Sequence, residues 1–264
     1  NRIAIIEDGL LAEFLIERKE EMGIAGNIYK GKVSRVLPGM QAAFVDIGME
    51  KAAFLHASDF SSVPEDVQLI SSPGEDVEVE AVPKRMPHHR LPLEKQLSRD
   101  EAILVQVAKD PLGTKGARVT SHISLPGRYM VFMPGTKHIG ISRRIESEEE
   151  RKRLKEIAES VLTEHGGFIL RTASEGRSKR EIQRDLRFLT ILWRRLQKKA
   201  EKAAAPSLIH QDLDLIARTI RDFFTADTEQ VIIDSAKDHR RIMDFVRQFM
   251  PRLKPKIVLY SGAE

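Results

Sequence analysis

The sequence predicts a multidomain α+β chain, in which a small five-stranded β-barrel and an α/β region are both inserted into an α/β domain split between the two chain ends. Three observations predict it. Five short runs with strand alternation lie between residues 26 and 123, broken by one long irregular stretch. Two Ser-x-x-Glu boxes, at Ser147 and Ser178, each open a helical pattern in the segment that follows. After Leu208 helices alternate with buried-type strands, but the strands are too few for a sheet of their own.

Taken in order, RIAIIEDGLLAEFLIER places two strand-like runs on either side of Asp8-Gly9, a hairpin signal because such a turn needs residues that tolerate positive φ. The runs 26–37, 40–47, 50–57, 101–108 and 116–123 form the barrel set. Residues 58–99, mixed in Ser, Pro, Glu and basic side chains, form a long irregular insertion. Five short strands with such an insertion suggest a closed barrel of the oligonucleotide-binding type.

YMVFMP and GFILRT read as strands. Between them the box at Ser147 opens a helix to about His165, and the box at Ser178 opens a longer one that stops by Pro206. Ile182, Leu186, Leu189, Trp193, Leu196 and Ala200 recur in it at helical spacing, which marks a packing face. The last segment alternates helix (212–224), strand (230–234), helix (236–250) and strand (256–260). The opening hairpin, too small to fold alone, is expected to supply the strands this end lacks.

Composition narrows the function classes. With 41% hydrophobic and 31% charged residues among 264, the chain is globular rather than disordered. No apolar run reaches the roughly 20 residues of a membrane helix, and no charged-then-apolar leader opens the chain, so neither insertion nor export is expected. The absence of cysteine excludes disulfides, thiolate zinc sites and cysteine nucleophiles, and suits a reducing cytoplasm. Net charge is only +4, yet the 43 Lys and Arg cluster, as in Arg151-Lys152-Arg153 and in Arg194-Arg195 followed by Lys198-Lys199. Such strips suit an anionic polymer, although solvated helix faces are their commoner cause.

Catalytic patterns are sparse. GNIYKGKV (26–33) approaches a phosphate-binding loop, but it has Val33 where a hydroxyl is needed, a strand-like interior and no following helix. The eight histidines show no metal-ligand spacing. Asp46, Asp234 and Asp238 come nearest to a nuclease pattern, yet no motif unites them, so turn or capping roles are expected. AAFVDIGMEKAAFLH (42–56) is more informative. If Ala43, Val45 and Ile47 face a core, Phe44 faces out, and Phe54 does the same in the next run; outward aromatics on such a barrel stack on bases. Lys115 crowns the turn GTKGAR, where it meets either a phosphate or only solvent. Arg171-Thr172 ends GGFILRT, and a guanidinium fork beside a hydroxyl suits a terminal phosphate, although the dipeptide alone favours an ordinary structural role.

NIYKGKVSRVLPGMQAAFVDIG with KAAFLH resembles an S1-type RNA-binding domain. ILVQVAKDPLGTKGARVTSHISLPGRYMVFMP, GISRRI, ILRTAS, LIHQD and KIVLYSG, in this order, resemble the N-terminal half of the ribonuclease E/G family, bacterial endoribonucleases of RNA decay and of ribosomal and transfer RNA processing. The likeness runs from about Ile5 to Gly262 apart from the insertion. It implies a split, non-catalytic ribonuclease-H-like domain at 1–25 and 208–264, an S1 domain at 26–123 and a 5′-sensor region at 124–207.

The resemblance implies that Phe44 and Phe54 stack on RNA with Lys115 as their basic partner. It implies that Arg171 and Thr172, with the main chain of Gly127 and Val131, hold a 5′-monophosphate. The implied partner is therefore single-stranded RNA with a 5′-monophosphate. The family continues into a deoxyribonuclease-I-like domain with two magnesium-binding aspartates, then a cysteine pair that binds zinc between subunits. This chain carries neither feature. The resemblance thus implies no cofactor and no catalytic residue here, with magnesium and a zinc-linked homo-oligomer belonging to a full-length enzyme. The rival expectations are a free-standing S1-domain RNA-binding protein without a nuclease domain, and a scaffold whose basic helices bind a protein.

Overall fold

The computed structural model describes residues 1–18, 23–60, 92–161, 166–225 and 227–262. They belong to two units, one built from 1–22 with 213–264 and one from 23–212. Most of the irregular insertion, 61–91, lies outside the described residues, as do 162–165 at the end of the first predicted helix.

In the first unit Asp8 and Gly9 both take positive φ, 50° and 78°, and turn β1 (Arg2–Glu7) antiparallel onto β2 (Leu10–Ile16). Asp214 caps α3 (Leu215–Phe223) by accepting the Ala217 N–H, and Ser235 caps α4 (Ala236–Phe249) by accepting that of Asp238. Between and after these helices β13 (Val231–Ile233) pairs in parallel with β14 (Ile257–Leu259), the strands being numbered in chain order. Ile220, Phe224, Ile233, Ile242, Val246 and Ile257 make the core. The expectation that the opening hairpin completes this sheet fails, because β1–β2 and β13–β14 are separate two-stranded sheets. The hairpin is instead tied to a helix: the Glu17 carboxylate accepts from the Leu215 N–H at the start of α3 and from Arg218.

In the second unit β3 (Ile28–Leu37), β4 (Ala42–Asp46), β5 (Ala53–His56), β6 (Ala102–Lys109) and β7 (Arg118–Thr120) close a barrel in the order β3-β4-β5-β7-β6, with β6 pairing back onto β3. All neighbours are antiparallel except β5 and β7. Val33, Val45, Leu55, Leu93, Val105, Val107 and Val119 fill the interior. Two glycines allow the strands to cross closely: a Cβ on Gly31 would stand 2.5 Å from Val45 Cγ1, and one on Gly116 would collide with the Ala52 carbonyl.

A four-stranded sheet follows, made of β8 (Leu125–Pro126), β9 (Met130–Met133), β10 (Ile139–Ile141) and β11 (Gly167–Leu170), in the order β10-β11-β9-β8. The helices α1 (Glu148–Val161) and α2 (Lys179–Lys202) pack on it through Leu154, Ala158, Ile182, Leu186 and Leu189, against Phe132 and Phe168. The Ser178 box is complete, with side chain and backbone bonds in both directions to Glu181. The Ser147 box is half made: Ser147 accepts the Glu150 N–H, but the Glu150 carboxylate takes Arg153 and the Gly176 N–H. Finally β12 (Ser207–His210) pairs antiparallel with β3, so residues 208–210, read from sequence as part of the terminal domain, add a strand to the barrel. No helix among the described residues is long and apolar enough to cross a membrane.

Candidate nucleic-acid interface

The outer face of the barrel is set by register. Arg35 on β3 stands opposite Phe44 on β4, Phe44 opposite Phe54 on β5, and Phe54 opposite Arg118 on β7. One row across four strands therefore reads cation, aromatic, aromatic, cation. Both phenylalanines are half-buried, as the alternation predicted, with Val45 and Leu55 sealed inside. Their ring centroids are 6.1 Å apart at 68°, edge to face, so the pair is not stacked shut on itself.

Arg35 was missed by alternation, which groups it with buried Val33. A bulge between Val33 and Arg35 makes Ser34 the extra residue and turns Arg35 outward, while Val36 returns to the interior. Ser34 Oγ closes the bulge by donating to the Phe44 carbonyl at 3.0 Å. The signal was present in Val-Ser-Arg-Val, two apolar residues three apart in a strand of period two. Arg118 is held by Asp59 through Nε at 3.1 Å and Nη2 at 2.8 Å.

Lys115 is exposed in a tight turn whose backbone closes from Leu112 to Lys115 in both directions, at 3.2 and 3.0 Å. The Lys51 ammonium donates to the Gly113 carbonyl at 2.9 Å, and the Phe54 N–H donates to the Ala117 carbonyl at 2.7 Å. The turn that carries Lys115 is thus pinned beside the strand that carries Phe54.

The second candidate cluster surrounds the hairpin between β8 and β9. Arg171, 3% exposed at the end of β11, donates from Nη1 to the Gly127 carbonyl at 2.7 Å and to that of Arg128 at 3.3 Å. Its own N–H donates to the Tyr129 carbonyl. Thr172 Oγ1 lies 3.3 Å from the hydroxyl of buried Ser142. Val131, 2% exposed, pairs with Ile169 two residues before Arg171. Gly127, Val131 and Arg171 thus meet at this hairpin, whereas Thr172, next to Arg171 in the chain, turns its hydroxyl to Ser142.

Asp185, which the sequence reading passed over, underlies it. From the buried face of α2 its carboxylate accepts the Tyr129 N–H at 2.8 Å, and a Cβ on Gly127 would stand 2.6 Å from its Oδ2. Burial pushes this carboxyl up from its ordinary range, against the pull of the Tyr129, Arg128 and Met130 N–H groups and of the Arg171 charge. Its place among Leu186 and Leu189 in an apolar stripe was the available sign.

Two of the three carboxylates weighed for catalysis take ordinary roles, and the third, Asp234, is exposed just after β13. Asp46 accepts the Gly48 N–H in the β4–β5 turn, and Asp238 sits in the first turn of α4 paired with Arg241. Among the described residues no three His, Asp or Glu side chains converge as a metal ion would need.

The sequence matches the S1 RNA binding domain over residues 24–83 and the ribonuclease E/G family over residues 124–264. The chain belongs to the ribonuclease E/G family. It is 48% identical over 262 residues to Ribonuclease G of Haemophilus influenzae and 43% identical over 263 residues to Ribonuclease G of Escherichia coli K12. Those alignments take 99% and 100% of this chain but 50% and 51% of the relatives. Ribonuclease E of Nostoc sp. is 35% identical over 235 residues, 89% of this chain and 31% of that protein. This ribonuclease E/G chain thus spans about half the length of the Ribonuclease G relatives it matches, with the S1 match beginning just before β3 and the family match beginning just after the barrel.

Proposed function

We propose that the chain is the RNA-recognition portion of a single-strand-specific endoribonuclease stimulated by a 5′-monophosphate, acting in mRNA decay and in ribosomal and transfer RNA processing. The observation that carries this reading is the Arg35-Phe44-Phe54-Arg118 row. Aromatic faces stack on unpaired bases of any sequence, and the flanking guanidinium groups donate to the phosphates on either side. The hairpin cluster is the 5′-end sensor in this reading. Arg171, fixed by carbonyls, presents a rigid cation, Thr172 adds a hydroxyl, and the compact dianion of a monophosphate suits such a fork better than a bulkier triphosphate. Cleavage, magnesium binding and a zinc-linked assembly are assigned to parts of the enzyme other than these residues, and this chain alone is expected to bind RNA without cutting it.

The test is fluorescence anisotropy with one short single-stranded RNA, 5′-monophosphorylated or 5′-hydroxyl, near physiological salt. The monophosphate should bind several-fold tighter, and Thr172→Val should reduce the difference without unfolding the chain, whereas Arg171→Ala should abolish it. Equal binding of both ends, insensitive to either substitution, would leave the barrel face as the RNA site of a plain S1-type binding protein and reject the sensor.

A further inference from the structure

The helix α2 has two opposed faces. Ile182, Leu186, Leu189 and Leu196 are buried on one side. On the other, Arg180, Arg184, Arg187, Arg194, Lys198 and Lys202 are exposed at steps of three, four or seven residues, with Arg195 beside them and exposed Ile191 filling the one gap. At 100° per residue these positions fall within one arc of about 100°, and at 1.5 Å per residue the stripe is about 33 Å long. No acidic residue lies within it.

Two comparisons inside the molecule set this unbroken stripe apart from the other helices. On α4 two of the four cations are answered on their own helix, Arg241 by Asp238 and Arg247 by Asp244, each three residues apart, while Lys237 and Arg240 stand exposed. On α1 Arg153 is answered by Glu150. On α2, by contrast, Arg180, Arg184, Arg187, Arg195, Lys198 and Lys202 form no ion pair with any described residue. Like charges three or four residues apart cost a helix roughly 0.2–0.5 kcal/mol per pair. The chain supports that cost along six turns of a helix anchored at both ends, by the Ser178 box and by Lys30, whose ammonium donates to the Ala200 and Ala203 carbonyls at 2.8 and 2.9 Å.

We infer that the α2 stripe is a second RNA surface, one that docks the sugar-phosphate backbone of a double-helical RNA segment. A straight line of cations complements a regular line of phosphates. The stripe carries no exposed aromatic, Trp193 being packed against the core, so unlike the barrel face it offers unpaired bases nothing to stack on. A membrane surface is disfavoured because the apolar side of α2 is consumed in the core. Duplex RNA, read largely by backbone and shape, is the anionic polymer these features fit. This surface does not depend on the 5′-sensor reading.

The test is binding of a blunt RNA duplex with 5′-hydroxyl ends, longer than the stripe, across a series of salt concentrations. The unmodified chain is compared with Arg184→Gln/Arg187→Gln/Lys198→Gln, three exposed changes that thermal melting should show to be folded, and with Phe44→Ala. The triple variant should lose at least tenfold in duplex affinity near physiological salt and about 2–3 units of the log–log salt slope, at roughly 0.9 per phosphate contact. It should keep single-strand binding, while Phe44→Ala does the reverse. Failure of the unmodified chain to bind duplex, an unchanged slope in the triple variant, or loss of duplex binding with Phe44→Ala alone would each overturn the inference. Binding of an acidic polypeptide in place of duplex would mark the stripe as a protein surface and overturn it equally.

Discussion

Phe44 and Phe54 are register partners on neighbouring strands, and their rings meet edge to face at 6.1 Å on the outside of the barrel. Removing one ring takes away a stacking platform worth roughly 1–3 kcal/mol per base. Phe44→Ala and Phe54→Ala should therefore each weaken single-stranded RNA binding by roughly 5- to 150-fold at fixed salt, read by anisotropy. Melting temperatures should fall only modestly, since both rings are partly buried and lose mainly their mutual edge-to-face contact.

Arg35 makes no ion pair with a described residue, whereas Arg118 is engaged by Asp59. Arg35→Gln should act only on RNA. Single-strand affinity should fall and the log–log salt slope should shrink by about 0.7, the share of one phosphate contact. Titrations at three salt concentrations check this; an unchanged slope would remove Arg35 from the interface.

Gly116, two residues before β7, lies against the Ala52 carbonyl, so Gly116→Ala forces two backbones apart. A loss of about 1–3 kcal/mol is expected. Gly39→Ala, where a Cβ meets open space, is the control and should leave the denaturant midpoint unchanged.

Asp185 yields a pH signature. Because burial holds its folded-state pKa above the unfolded value, the folded chain binds this proton more readily, and stability from this group falls as pH rises through the carboxylate range into the raised one. Below the unfolded pKa the penalty vanishes. Asp185→Asn should flatten that part of the stability profile, measured by thermal melts from acid to neutral pH, and should weaken 5′-monophosphate discrimination by loosening the hairpin that fixes Arg171.

Local chemistry was legible from sequence where local rules decide. Asp8-Gly9 makes its turn, Ser178 makes its box, and the alternation around Val45 and Leu55 sends both phenylalanines outward. What stayed hidden depends on distant partners. The bulge at Ser34 reverses the parity of β3 and hides Arg35 among core positions. The short strands β8 and β10 gain their identity from pairing with β9 and β11, and β12 from pairing with β3, so no window of sequence announces them. Asp185 reads as a polar interruption of an apolar stripe until the Tyr129 N–H that it serves is seen.

The pairing of β12 with β3 brings the two ends of the 23–212 unit together: the Asp212 N–H donates to Asn27 Oδ1 at 2.8 Å, and Gly26, at φ 86°, leaves no room for a Cβ beside the Asp212 carboxylate. The first unit must assemble from pieces about 190 residues apart in the chain. Closing so long a loop in an unfolded chain costs on the order of 3 kcal/mol more than closing a short one. If 23–212 folds first, that separation collapses to a clasp, and the outer pieces meet as near neighbours. Folding order follows: in pulsed hydrogen exchange, amides of β3 and β12 should gain protection before those of α3 and α4, which gives the inserted unit the role of chaperoning its own host.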